Sequence, residues 1–397
     1  MRSDGIEVGD IFRQFGSAYR EINKLPLQQL KAMSAIEKCR TQALGGHIDI
    51  CEECGYERIS YNSCRPALRD PKCQSLARER WVLARQQQLL PISYFHDVFT
   101  LPDELNRLCL VNQKVMYDLL FRAGSETILD LGKDAKHIGG KVGLIAVLHT
   151  WGQNLMDHPH LHCIVTGGGL SADGQRWVYP KKMTPKKDFF IHVNIISDLF
   201  KKKFLAYLKQ AYHQGKLQFV GETAYLAQGN NFQKLVAQLY EKKWNSYCKK
   251  PFGGPEKVLN YLGRYTHRVA ISNHRIVTLE AGNVTFKWRD YRDNNNNKFM
   301  TIDVFEFIRR FLLHILPKGY FKIRYYGLLA SRNHRTDLEL CKRLLKLAVK
   351  IAEHAKKLSW QDLMLELFDI DVRRCPACGN GRLVLRQMIL CNSHAPP

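Results

Sequence analysis

The chain has 397 residues, 60 Lys and Arg against 37 Asp and Glu, and a formal net charge of +23. Its 45% hydrophobic and 24% charged residues are those of a globular protein long enough for two or three domains, which excludes a disordered or collagen-like chain. So large a cationic excess would repel itself in a compact state unless it met a polyanion, so nucleic acid is the expected partner.

The longest apolar run, Val142 to Leu148, is too short to cross a bilayer, and the start MRSDGIEVGD lacks the apolar stretch of a signal peptide. No membrane partner is expected. The expected location is cytoplasmic, nucleoid-associated when bound to DNA. Reducing conditions there make twelve cysteines metal ligands and buried residues rather than disulfides.

Residues 1–38 read as helix, with Ile11, Phe12, Phe15, Tyr19, Leu27, Leu30 and Met33 at helical spacing. Residues 39–91 form a second segment. Its first part, Cys39 to Cys73, has short strands, glycines and clustered Cys and His, but too few large apolar residues for a core without metal. Its second part is a helix from Gln74 to about Leu90.

Residues 92–330 mix strands (Tyr94–Leu101, Val142–His149, His160–Thr166, Val269–Ser272, Ile276–Glu280, Val284–Trp288, Phe321–Tyr326) with helices at 103–123, 193–214, 232–246, 256–266 and 303–315. Turns are expected at Asn273-His274, Ala281-Gly282-Asn283 and Asn294–Asn297. Hairpins interrupted by helices argue for an α+β fold with a central antiparallel sheet. Within this region the insert 171–250 holds 15 Lys and Arg against 5 acids. Residues 331–397 give a basic helix at 336–358, a helix capped by Ser359 and a cysteine tail.

The segment HPHLHCIV carries the first chemistry. In a strand, residues i and i+2 share a face, so His160 and His162 can offer two imidazoles to one metal ion. Gln153 lies where the chain returns from the preceding strand and is a third polar candidate. A site of three ligands with open positions is catalytic rather than structural. The second signal is the helix KVLNYLGRYTHR, opened by Gly253-Gly254-Pro255-Glu256, which puts Tyr261 and Tyr265 on one face. Val258 and Leu262 would dock that helix on the sheet. A tyrosine hydroxyl, with its pKa near 10, is a poor nucleophile near neutrality unless a cation neutralises charge on the phosphate it attacks. Together the two elements suit DNA cleavage through a phosphotyrosine bond. Arg264 and His267 border the tyrosine helix and are expected to touch the scissile strand. Trp151 and Trp288 are candidates to stack on unpaired bases.

Cys51-x2-Cys54-Gly is a zinc knuckle. Cys39, His47, Cys64 and Cys73 are all available to complete it, more than one tetrahedral site needs. At the other end, Cys375-x2-Cys378-Gly and Cys391-x2-His394 fit a separate small zinc ribbon. Cys109, Cys163, Cys248 and Cys341 have no ligand spacing.

HTWGQNLMDHPHLHCIVTGGG, KPFGGPEKVLNYLGRYTHRVAISNHRI, YYGLLASR and CPACGNGRL, in this order, closely resemble two-tyrosine rolling-circle transposases of the insertion sequence 91 family. These are HUH (His-hydrophobic-His) endonucleases. The resemblance implies a five-stranded antiparallel core with flanking helices, His160 and His162 as ligands of Mg²⁺ or Mn²⁺, and Tyr261 and Tyr265 as nucleophiles. Gln153 matches a position where relatives place a third ligand. It further implies single-stranded DNA at transposon ends as substrate, a 5′-phosphotyrosine intermediate and a free 3′ hydroxyl. Relatives usually carry His-Cys-Pro-x-Cys where this chain has Arg69-Asp70-Pro71-Lys72-Cys73. The rival readings are a plasmid replication initiator or relaxase with the same chemistry, a metal-dependent hydrolase, and a non-catalytic zinc-dependent DNA-binding regulator.

Overall fold

The computed structural model describes residues 5–64, 74–86, 88–180, 191–249, 257–258, 263, 270–290, 293–294, 296–346 and 359–391. Two compact units emerge, one built from Met1–Arg80, His267–Ile315 and Ile351–Pro397, the other from Trp81–Thr266 and Leu316–Lys350. These units cut across the expected segments: residues 267–315 join the amino-terminal unit, and so does the cysteine tail.

The first unit begins with two helices, α1 (Val8–Ile22) and α2 (Leu27–Lys38), rather than one. The break falls before Pro26, which has no amide to donate to a continuing helix. Strands β1 (Gly46–Cys51) and β2 (Glu57–Tyr61) form an antiparallel hairpin, and β14 (Leu383–Ile389) completes the sheet in the order β14-β1-β2. A second antiparallel sheet joins β10 (Ile276–Glu280), β11 (Asn283–Asp290) and β12 (Asn296–Asp303). Its inner face lays Phe286 edge-on to Phe307 of α8 (Val304–Leu313), which in turn packs Phe311 against Phe12 of α1. The turn at Ala281-Gly282 forms as expected, with both residues at positive φ, the geometry that tight hairpins demand. Of the expected strand at Val269–Ser272, the described residues 270–272 are not strand, and Asn273–Arg275 is a 3-10 turn.

The second unit carries a five-stranded sheet in the order β13-β5-β6-β3-β9, with every neighbouring pair antiparallel. Its strands are β3 (Tyr94–Thr100), β5 (Gly143–Trp151), β6 (Asp157–Thr166), β9 (Ser246–Lys249) and β13 (Ile323–Gly327). Every residue of β5 is buried, because both faces of the sheet are covered. One face presents Phe95, Phe99, Leu144, Ala146, Leu148, Leu161 and Cys163 to a large apolar core. Helices α5 (Gln113–Lys133), α6 (Val193–His213) and α7 (Gly229–Glu241) close that core. The opposite face sets Tyr94, Ile145, Val147 and Ile164 against Val258, Leu328, Leu329 and Leu338. Gly327, at φ +59, ends β13 where any Cβ would collide with the Val142 carbonyl.

The expected helix at 103–123 is broken at Asn112, whose side chain exchanges hydrogen bonds with the Gln218 backbone at 2.7 and 2.9 Å. The expected helix at 232–246 ends at Glu241, and Ser246 opens β9 instead. In the basic insert, Lys203 pairs with Asp130 at 2.8 Å and Lys242 with Glu104 at 2.6 Å. Part of the lysine excess is therefore neutralised locally. Among the described residues no helix is long and apolar enough to cross a membrane.

Candidate metal centres

The antiparallel register of β5 and β6 sets His149 directly opposite His160 and Val147 opposite His162. Opposed residues share a face, so three imidazoles gather at one end of the sheet. One ring nitrogen from each of His149, His160 and His162 lies within 4.8 Å of those of the other two. His149 is 2% exposed and His162 8%, and His160 is half-buried.

Two of the three rings have an orienting partner on one ring nitrogen. The His160 Nδ1 lies 2.7 Å from the His158 carbonyl, which can only accept, so Nδ1 carries the proton and Nε2 is the unprotonated nitrogen, the one able to act as a metal ligand. His162 Nδ1 lies 2.9 Å from Nε2 of His96 on β3, a contact between two ring nitrogens that holds the His162 imidazole in its orientation. The third ring, His149, stacks on Trp151 with centroids 4.7 Å apart. Behind the cluster, burial pushes the Asp157 carboxyl up to about 7, against the weaker downward pull of Arg107.

The structure thus brings together the expected His160 and His162 with a residue that sequence reasoning missed. His149 closes an apolar run and looks like the end of a core strand until the register is known. The expected Gln153 sits in the turn joining β5 to β6, just beyond Trp151. Trp151, expected to stack on a base, is 8% exposed and covers His149 instead. Tyr261, Tyr265, Arg264 and His267 lie outside the described residues. Two parts of their segment are described as helix: Lys257–Val258 and Gly263. Val258 is fully buried in the cluster on the histidine-bearing face, with Ile145, Val147 and Ile164.

The other centre lies in the first unit. The knuckles Cys51-x2-Cys54 and Cys375-x2-Cys378 meet, with all four sulfurs within 4.8 Å of one another. Cys51 and Cys378 are 3.8 Å apart, Cys54 and Cys375 3.7 Å. A tetrahedral zinc with Zn–S bonds of about 2.3 Å requires sulfur–sulfur edges of about 3.8 Å, so the donor set fits that ion. Each knuckle closes on a left-handed glycine, Gly55 at φ +71 and Gly379 at φ +72. Backbone amides of Asn380 and Gly381 hold the Cys378 thiol down to about 6. The Tyr56 amide lowers the Cys54 thiol, yet desolvation and the three neighbouring thiols together raise it to about 12. Four thiolates cannot coexist there without a cation.

This arrangement replaces the two separate cysteine sites expected from sequence. Among the expected ligands, the Cys39 sulfur instead accepts the Cys64 amide at 3.3 Å, and His47 faces Asp49 at 3.5 Å. Cys391 donates to the Ala43 carbonyl at 3.0 Å. Cys73 and His394 lie outside the described residues.

Comparison with known proteins identifies the family. A family described as "Putative transposase" matches residues 143–336, and one described as "Transposase zinc-binding domain" matches residues 11–101. A putative transposase of Sinorhizobium fredii is 47% identical over 386 residues, covering 97% of this chain and 96% of that one. The transposase for insertion sequence element IS801 of Pseudomonas savastanoi pv. phaseolicola is 26% identical over 358 residues, covering 88% and 82%. No solved structure matches. The chain belongs to the insertion sequence 91 family of transposases.

Proposed function

We infer that this transposase nicks single-stranded DNA at element ends with a tyrosine nucleophile beside the His149–His160–His162 cluster, as an HUH endonuclease. The observation that carries this reading is the burial of Val258 on the histidine-bearing face. Val258 lies three residues before Tyr261, so its position supports a tyrosine nucleophile on the side of the sheet that carries the imidazoles.

A divalent cation held by His149, His160 and His162 would neutralise charge developing on the scissile phosphate. Three imidazoles suit Mn²⁺ better than Mg²⁺, which prefers an oxygen shell. The hydroxyl of Tyr261 or Tyr265 attacks phosphorus and loses its proton. The tyrosine O–P bond forms as the P–O3′ bond breaks, and the departing 3′ oxygen takes up a proton. The phosphodiester energy is kept in the adduct, so no ATP is needed. A second tyrosine allows a second strand attack, and the free 3′ hydroxyl can prime rolling-circle synthesis. Arg264 and His267 are assigned to the scissile strand. The four-cysteine centre holds zinc as a structural ion, supporting recognition rather than chemistry.

The test uses single-stranded DNA carrying the element end, labelled at its 3′ terminus, with Mn²⁺. Label should remain on the denatured wild-type protein, because the 5′ phosphate of the 3′ fragment is the linked group. Tyr261→Phe with Tyr265→Phe should abolish the adduct and change DNA affinity less than about twofold, since only the hydroxyls are lost. An adduct surviving in the double variant would move the nucleophile elsewhere. Nicking with turnover and no adduct would favour a metal-dependent hydrolase.

A further inference from the structure

The antiparallel sheet β10-β11-β12 has one face packed on α8 and one face open. Alternation along the strands sorts its residues. Val284 and Phe286 are fully buried on the inner face. The open face carries Thr285, Lys287 and Arg289 of β11, set opposite Thr301, Phe299 and Asn297 of β12. The Thr285 and Thr301 hydroxyls meet at 2.8 Å, which fixes that register. Phe299 is 64% exposed, an unusual place for a large aromatic ring in the middle of a strand. Lys287 stands directly opposite it, with Nζ 5.9 Å from the ring centroid. Among the described residues no carboxylate forms an ion pair with Lys287 or Arg289.

We propose that this face is a second single-stranded DNA contact, with Phe299 stacking on an unpaired base and Lys287 and Arg289 holding the phosphates beside it. Same-face residues on a strand lie about 7 Å apart, so the two cations can take neighbouring phosphates of an extended strand. The aromatic ring needs the face of a base, which a duplex keeps stacked inside; the cations need an anionic backbone. An unpaired strand satisfies both. Trp288, the sequence candidate for stacking, points to the opposite face of the same strand and opposes Lys298. The proposal rests on the reading of single-stranded DNA as substrate and adds a contact made by a unit that does not contain the histidine cluster.

The experiment uses the full chain and a fluorescein-labelled 20-nucleotide strand of mixed sequence, free or annealed to its complement. Phe299→Ala should weaken single-strand affinity about tenfold and duplex affinity less than twofold, while Phe299→Tyr should keep wild-type affinity. With 2-aminopurine placed along the strand, wild-type protein should quench at one position, and Phe299→Ala should lose that quenching. Lys287→Gln with Arg289→Gln should lower the salt slope of single-strand binding by about 1.4, as two lost phosphate contacts require. Unchanged affinity, quenching and slope in all variants, with adduct formation by wild-type protein intact, would overturn this surface alone. Equal losses on duplex and single strand would make it a general charge patch and overturn the stacking. A wild-type chain that neither binds the single strand nor forms the adduct would overturn both readings.

Discussion

The histidine cluster draws its three side chains from one strand pair, between His149 and His162, whereas the cysteine cluster joins residues 51–54 to residues 375–378. In the first, a short turn brings β6 back along β5, and the cost of gathering three side chains is mostly met by the sheet's own hydrogen bonds. In the second, almost the whole chain lies between the two knuckles, and closing so long a loop costs conformational entropy that the metal bond must offset. One centre is therefore a product of a folded sheet, and the other is a condition for β14 to stay paired with β1. If the proposed roles hold, the difference teaches that a catalytic site can keep an open, exchangeable ion, while a structural site cannot.

The strongest test of this contrast is to remove His149. His149→Ala should cut nicking by about a thousandfold, the worth of several kcal/mol of charge stabilisation, and leave the thermal midpoint within about 2 °C. Gln153→Ala should cost less than about tenfold, because the turn residue is not required for the three-imidazole set. Gel assays of nicking across a Mn²⁺ titration check both. A Gln153 loss as large as that at His149 would return the third ligand to the position first expected from sequence.

Cys375→Ser should behave in the opposite manner. Zinc content should fall by about one equivalent, and Cys51→Ser combined with it should remove no further zinc, since the two thiols serve one ion. Hydrogen exchange should accelerate in β1 and β14 but not in β5 and β6, as expected when only one unit loses its staple. Nicking of an arbitrary single strand should persist within about tenfold, while preference for the element end is lost. A loss of two equivalents in the double variant would restore two independent cysteine sites. Collapse of nicking with Cys375→Ser would show that the units do not fold independently.

How much of this was legible follows from the same contrast. His160 and His162 announce themselves because a period of two is a local property of strands. His149 is equally close in space, but its place depends on register, which no local pattern states. The knuckle spacing of Cys51 and Cys54 shows that a metal is needed, yet nothing nearby says that its other half stands at Cys375 and Cys378. Proximity in sequence drew Cys39, His47, Cys64 and Cys73 into the expected site instead. Strand β9 was hidden for a different reason. Its residues Ser246–Lys249 follow directly on a helical pattern, and they become strand by adding to the edge of β3. Strand β14, LVLRQMI, is mostly apolar yet largely exposed, because it is an edge strand of a thin sheet, so its sequence shows no alternation to mark an inner face.

The smallest expected effect separates how the two centres aim their ligands. Around the cysteines, backbone does the aiming: the amide of Gly381 meets the Cys378 sulfur at 3.2 Å and that of Ala377 meets Cys375 at 3.4 Å. Around the histidines a side chain shares the task, since His96 fixes which way the His162 ring faces. His96→Leu keeps an apolar volume in a position only 2% exposed but removes the nitrogen. Mn²⁺ affinity, measured by calorimetry, should weaken about tenfold, in the range typical for losing a partner behind a metal-bound imidazole. Nicking should recover at high Mn²⁺, because His160 keeps its own carbonyl partner and all three ligands remain. Zinc content should not change. Affinity equal to wild type would mean that the sheet alone orients His162. A loss that excess Mn²⁺ cannot rescue would mean that His96 does more than orient its neighbour.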